Sequence, residues 1–279
     1  FPNGTVLVTW VEPAVEAGIL KSRLLYEGKE WGPIQTLAPS VGLAGPPVHD
    51  PGAPTSLYLP YFTRGLFVAA SQDGGKSWQA TKVAGPFARG FVGHGEILFP
   101  VAAVDEAGTV YVAWAGPQES PLTTVDNAAA RSGIFLSHSI DGGKTWSPPR
   151  LLSSPDRTAI FAWMSAGAPG RVVVTWYENR NGVSDLGADL WDVALVESVT
   201  ADQDDPLFLG GHLNTGPVHV GQICGLGLLC TAGDRSRGDF FANAIKRDGH
   251  PVVAWVADSE TPGIVDVMVG GVAEGTPLR

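Results

Sequence analysis

An all-β propeller of four-stranded antiparallel blades is the fold this sequence predicts, on three observations. A strand motif recurs five times, a turn signal precedes each copy, and no stretch suits a long helix. The chain has 279 residues with 36 Gly, 22 Pro and 9 Trp; 44% are hydrophobic and only 16% charged. That much Gly and Pro breaks helices, while the apolar share suffices for a core, so disorder and coiled coil are excluded.

The recurring strand ends in an aromatic residue: TVLVTW (5–10), TVYVAW (109–114), RVVVTW (171–176) and HPVVAW (250–255). Alternating β-branched residues mark all four as strands. SLYLPY (56–61) fills the same slot with Tyr61, although Pro60 suits an edge strand better than an internal one. The anchors Trp10, Tyr61, Trp114, Trp176 and Trp255 lie 51, 53, 62 and 79 residues apart. Turn signals precede each copy at Asn3-Gly4, Asp50-Pro51-Gly52, Asp105 to Gly108, Pro169-Gly170 and Asp248-Gly249.

Taking this strand as B, the A strands are expected at 97–104, 160–165 and 239–245. The C strands are expected at 18–26, 65–71, 133–139, 191–198 and 264–272, with a D strand at 147–153. The units form one domain with blades at about 1–36, 37–84, 85–153, 154–214 and 215–279. Unit 1 has no A strand and unit 5 no D strand, so a trimmed six-bladed ring is the alternative to an irregularly closed five-bladed one.

Between C and D, SQDGGKSW (71–78) and SIDGGKTW (139–146) match at Ser, Asp, Gly, Gly, Lys and Trp: Ser71 with Ser139, Asp73 with Asp141, Gly75 with Gly143, and Trp78 with Trp146. The chemistry is that of a self-contained turn. The carboxylate accepts backbone N–H groups, the glycines allow positive φ, and the indole anchors the loop between sheets. LLYEGKEW (24–31) reads as a decayed copy that has lost the Asp. Because A–B and C–D turns share one face of an antiparallel meander, a site is expected on the opposite face, among the longer B–C and D–A connections.

The two turns closely match S-x-D-x-G-x-T-W, and on them the chain resembles the sialidase-like BNR, or Asp-box, repeat propellers. Residues 221–255, with a cysteine pair followed by a D-R…D-F segment, are similar to the C-terminal part of exported bacterial sialidase-like proteins. The resemblance implies a propeller domain and, for a true sialidase, an Arg in an (F/Y)RIP motif, two further arginines, a Tyr–Glu nucleophile pair and an Asp acid/base. This chain has no RIP motif.

A formal charge of -10 repels phosphate backbones, so nucleic acid is not an expected partner, and no apolar run has the length of a membrane span. Cys224 and Cys230, the only cysteines, are read as a disulfide and hence a secreted, extracellular protein; two buried thiols are the alternative. No cofactor is expected. His94 with Glu96 lacks nameable further metal ligands. Asp202, Asp204 and Asp205 lack the Gly and distal Glu of a calcium loop, so no metal is assigned.

On the loop face the ligand-binding candidates are Arg89, His94, Glu96, Arg131, Arg157, Arg180 and Arg237. Arginine forks suit carboxylates and sugars, although loops also gather charge simply by being solvated. Catalytic candidates are Asp239 and Arg235, expected near the central channel, and the Tyr177-Glu178 pair, whose neighbouring side chains should point to opposite faces. The Arg-Gly-Asp triplet at 237–239 is read as coincidence. The leading expectation is a carbohydrate- or protein-recognition module without a complete sialidase set. An exo-glycosidase of sialidase type, and an assembly unit that self-associates through unpaired end strands, are the alternatives.

Overall fold

The structure, a computed structural model, describes residues 3–14, 17–87, 99–118, 132–181, 189–223, 241–261 and 263–279. Among them there is no helix, so none is long and apolar enough to cross a membrane. The strands form five antiparallel sheets in chain order. The first holds β1 (Val6–Glu12), β2 (Gly18–Tyr26), β3 (Glu30–Trp31) and β4 (Gln35–Val41). The second holds β5 (Leu43–Ala44), β6 (Val48–His49), β7 (Leu57–Phe62), β8 (Leu66–Ser71) and β9 (Gln79–Ala84). The third holds β10 (Val101–Val104), β11 (Val110–Pro117), β12 (Ser132–Ser139) and β13 (Arg150–Leu151). The fourth holds β14 (Ala159–Ala166), β15 (Val172–Asn179), β16 (Leu190–Ser198), β17 (Leu209–His212) and β18 (His219–Val220). The fifth holds β19 (Ala242–Ile245), β20 (Pro251–Asp258) and β21 (Val265–Gly271).

The five anchor-bearing strands are β1, β7, β11, β15 and β20, and each continues past its aromatic residue. Alternation along them feeds successive gaps between sheets. Val172, Val174 and Trp176 join the core shared with the third sheet, while Val173 and Tyr177 join the one shared with the fifth. Leu59 and Tyr61 fill the gap between first and second sheets; Tyr58, Val112 and Trp114 fill that between second and third. Such strands are apolar almost throughout because both faces are covered.

Some elements differ from the expectation. Pro60 lies within β7, between two partners, and its missing N–H leaves the inner strand split into β5 and β6 around Gly45, Pro46 and Pro47. The D strand expected at 147–153 is only Arg150–Leu151. Residues 24–31 make a tight hairpin, not a third copy of the box. Glu27 and Gly28 take φ of 49° and 68°, and Lys29 N–H donates to the Tyr26 carbonyl at 2.9 Å. Without a carboxylate to gather N–H groups, two residues in the left-handed region close the turn.

The A–B and C–D turns meet on one face. Gly74 N–H donates to the Thr55 carbonyl, and Ala201 N–H to that of Gly170. Asp105, fully buried, accepts from the N–H groups of Ala107, Thr109 and Gly170 and from the Tyr111 hydroxyl, each at 2.9 Å, and so ties the third sheet to the fourth. Burial, aided by this carboxylate, pushes the Tyr111 hydroxyl far above the usual phenol range, keeping it a donor. On the same side Leu278, fully buried, clips the fourth sheet to the fifth: Ala168 N–H donates to its carbonyl, and its own N–H donates to that of Gly249.

The two Ser-x-Asp turns are near copies in their backbone. Asp73 Oδ1 accepts from Lys76 and Ser77 N–H at 3.0 and 2.9 Å, and Asp141 Oδ1 accepts from Lys144 and Thr145 N–H at the same distances. Gly75 and Gly143 both take a φ of 85°, and their N–H groups donate to the hydroxyls of Ser71 and Ser139 at 2.8 and 2.9 Å. The indoles are where the copies part. Trp78 Nε1 donates to the Gly75 carbonyl at 3.1 Å, whereas the buried Trp146 Nε1 has no hydrogen-bond partner among the described residues. Both indoles nonetheless sit in the layers between sheets. Trp146 anchors by packing alone, against the core between second and third sheets, while Trp78 packs between first and second.

The Ser77 and Thr145 hydroxyls, donating to these carboxylates, lead the set of hydrogen bonds that lowers both from 3.8 to about 2. A depressed folded-state value stabilises above the unfolded pKa and is lost as pH falls through the folded one. We therefore expect Asp73→Asn and Asp141→Asn to flatten the loss of thermal stability between pH 4 and about 2 while leaving its trend above pH 5 unchanged. Parallel curves for variants and parent across the acid window would refute this.

Candidate functional site

The opposite face carries a polar network centred on Glu178, the penultimate residue of β15. In register with it across the ladder stands Asp192 of β16, and both side chains are only 2% exposed. Glu178 accepts from Ser154 N–H and Oγ at 3.0 and 3.3 Å, from Arg157 Nη1 at 3.5 Å and from Trp176 Nε1 at 3.4 Å; His212 Nε2 lies 3.0 Å away. The D–A connection that brings Ser154 and Arg157 is held by Gln118, whose Nε2 donates to the Ser132, Ser154 and Arg157 carbonyls. Strand β17 supplies His212 because it pairs with β16 from Leu209 to His212.

Asp192 is gripped by Arg180 through Nε and Nη2 at 2.5 and 2.6 Å, and accepts from Asn214 Nδ2 at 2.5 Å. Burial pulls its carboxyl upward, but the Arg180 and Asn214 hydrogen bonds and the charges of Arg180 and His212 hold it below the ordinary carboxylate range. The result is two buried carboxylates roofed by three donors, Arg157, Arg180 and His212, each about one-third exposed. Such a roof can bind an anionic or hydroxyl-rich ligand through its remaining N–H groups, a bidentate Arg being oriented in advance.

Of the residues singled out from the sequence, Glu178, Arg157 and Arg180 thus come together. Tyr177 points the other way, into the core, where its hydroxyl donates to the Val256 carbonyl and accepts from Val256 N–H, both at 3.1 Å. That places it between the fourth and fifth sheets. Arg89, His94, Glu96, Arg131, Arg235, Arg237, Asp239, Cys224 and Cys230 lie outside the described residues. Among the described residues no three His, Cys, Asp or Glu side chains gather as a metal-binding set. Asp205 pairs with Arg150 at 2.9 Å. Asp192 and His212, brought in by strand register, and Ser154, Gln118 and Asn214, on connections, escaped sequence reading.

No protein-family model and no curated protein matches the chain. Solved structures do. An α-L-arabinanase from Penicillium chrysogenum, complexed with arabinobiose, superposes with a TM-score of 0.52 at 15% identity, over 97% of this chain and 90% of that one. An α-L-arabinofuranosidase from Fusarium graminearum gives 0.51 at 13% identity, over 96% and 89%. The fold is a β-propeller. A leech intramolecular trans-sialidase gives 0.50 at 13% identity, over 92% of this chain but 36% of that longer one. In the propeller frame β7, β11, β15 and β20 are each the second strand of a blade, and the Glu178 network lies on the loop face at the join of the third and fourth blades.

Proposed function

We propose that this chain is an exported, sialidase-like propeller of the Asp-box type that recognises a carbohydrate through its loop face without hydrolysing it. The observation that carries the reading is that both facing carboxylates are already committed. Glu178 receives Ser154, Arg157, His212 and Trp176, and Asp192 receives Arg180 and Asn214. A general acid or nucleophile needs lone pairs and a proton path to the substrate, whereas recognition needs only the outward donors. The carbohydrate, in preference to a protein, is suggested by the sugar-bound arabinanase that shares the fold.

An exo-glycosidase is the second reading, favoured by the register of Glu178 with Asp192. Directly opposed residues have β-carbons about 4.5–5.5 Å apart, comparable to the roughly 5–5.5 Å between carboxyl groups of retaining enzymes. It requires the Arg180–Asp192 pair to open on binding. A glycan array run beside fluorogenic sialosides and other glycosides separates the two. We expect array binding without turnover, and a loss of roughly tenfold or more in affinity for Arg157→Gln, measured well below that variant's own melting transition. Turnover would overturn the recognition reading; neither binding nor turnover would overturn both.

A further inference from the structure

The outer strands of the second and third blades follow matched turns but run differently, and the difference opens a rim groove that shares no residue with the Glu178 network. After Trp78 the second blade continues as Gln79-Ala80-Thr81-Lys82, and β9 pairs with β8 from the Ala70–Gln79 position onward. After Trp146 the third blade has Ser147-Pro148-Pro149-Arg150, and β13 pairs with β12 only at Arg150 and Leu151. Two successive prolines supply no N–H to a ladder, so the chain stands off β12 there. Ser147 holds its start, donating its N–H to the His138 carbonyl at 2.8 Å and accepting the His138 N–H on Oγ at 2.9 Å.

The groove holds a cavity of about 520 Å³ between the third and fourth blades, a volume in the range of small-ligand pockets. Its bed is aliphatic, with Leu136 and Ala201 buried and Leu151 half-buried. Pro148, Pro149 and Pro206 give it rigid walls, while His138, Gln203 and Asp204 supply polar groups. At the rim Arg150 pairs with Asp205 at 2.9 Å, bridging the blades and matching one charge of each sign. Asp204 has no ion-pair partner among the described residues. Burial holds the His138 imidazole below its ordinary value against the pull of Asp202 and Asp204, so near neutral pH the ring adds no positive charge. An apolar bed therefore lies beneath a net negative mouth. We propose that this groove is a binding site for an alkylguanidinium, the chemistry of an arginine side chain, with the stem on Leu136, Leu151 and Ala201 and the cation at Asp204. A planar, weakly hydrated cation suits flat proline and imidazole faces better than a compact ammonium, and its fork can engage both carboxylate oxygens. An anion would meet the like charges of Asp202 and Asp204.

The test is to titrate the full chain at low salt with acetyl-Ala-Arg-Ala-amide, with the same peptide carrying citrulline, and with agmatine, following backbone amide shifts by NMR. Citrulline keeps the shape of arginine and removes its charge. The arginine peptide should bind roughly fivefold or more tightly than the citrulline one, with saturable shifts at Leu136, Ser137 and Gln203. Asp204→Asn, at an exposed position that the fold does not depend on, should erase that preference. Agmatine binding as tightly as the arginine peptide would support the site with a free small cation as occupant; the peptide binding more tightly would support it with an arginine of a polypeptide. Equal binding of the arginine and citrulline peptides, a preference kept in Asp204→Asn, shifts confined to the Glu178 face, or no saturable shift at about 10 mM ligand would each overturn the proposal.

Discussion

Replacing Glu178 with Ala is expected to lower the unfolding free energy by about 3–5 kcal/mol, read by urea denaturation at pH 7. The carboxylate is almost completely buried and is the common acceptor for four residues drawn from two strands and a connection. Its removal strands the Arg157 guanidinium, the Ser154 N–H and the Trp176 N–H around a hole that water fills poorly, and unpaired buried donors cost more than the pairing contributed. Glu178→Gln keeps the shape and one acceptor, so it should lose about half as much. The double variant with His212→Ala should be less destabilised than the sum of the singles, because the two share one network. A Glu178→Ala protein within about 1 kcal/mol of the parent would show that the network does not hold the third and fourth blades together.

Asp105→Ala should cost a similar amount, about 3–5 kcal/mol, for a related reason on the opposite face. This buried carboxylate gathers three N–H groups and the Tyr111 hydroxyl, and one of those N–H groups, Gly170, belongs to the next blade. Tyr111→Phe removes only one of the four donors and should cost about 1 kcal/mol. Asp105→Asn should be nearly as harmful as Ala, since its amide would turn a donor toward donors. Equal melting temperatures for Asp105→Ala and Tyr111→Phe would locate the stabilisation elsewhere.

How much of this was legible differs from element to element. The strands carrying Tyr61, Trp114 and Trp176 were readable because a strand buried on both faces must be apolar throughout, those carrying Trp10 and Trp255 because they repeat the same motif, and the Gly- and Asp-containing turns ahead of them mark each start. The Ser-x-Asp turns were readable because their hydroxyl and carboxylate bonds are local, spanning two to four residues. What each indole does beyond that turn was not: Gly143 and Trp146 stand as Gly75 and Trp78 do in sequence, yet only the Trp78 indole bonds back to its own loop. The D strand at 150–151 and the hairpin at 26–30 were also less legible. An outer strand is short and half exposed, and a lost Asp says which turn is gone without saying which replaces it.

For the site, sequence alone brought forward Glu178, Arg157 and Arg180, because charged residues in connections on one face of a meander are visible as such. It also placed Tyr177 and Glu178 on opposite sides, as strand alternation requires, and the side chains do diverge. Tertiary structure decided that Asp192 stands opposite Glu178, that His212 reaches across from β17, and that Gln118 holds the turn bearing Arg157. The cavities beside β1 likewise emerged only once four sheets met around them. The physical reason is common to both. Local hydrogen bonds and side-chain period are written within a few residues, but ladder register and the space between inner strands are set by the simultaneous packing of segments dozens of residues apart.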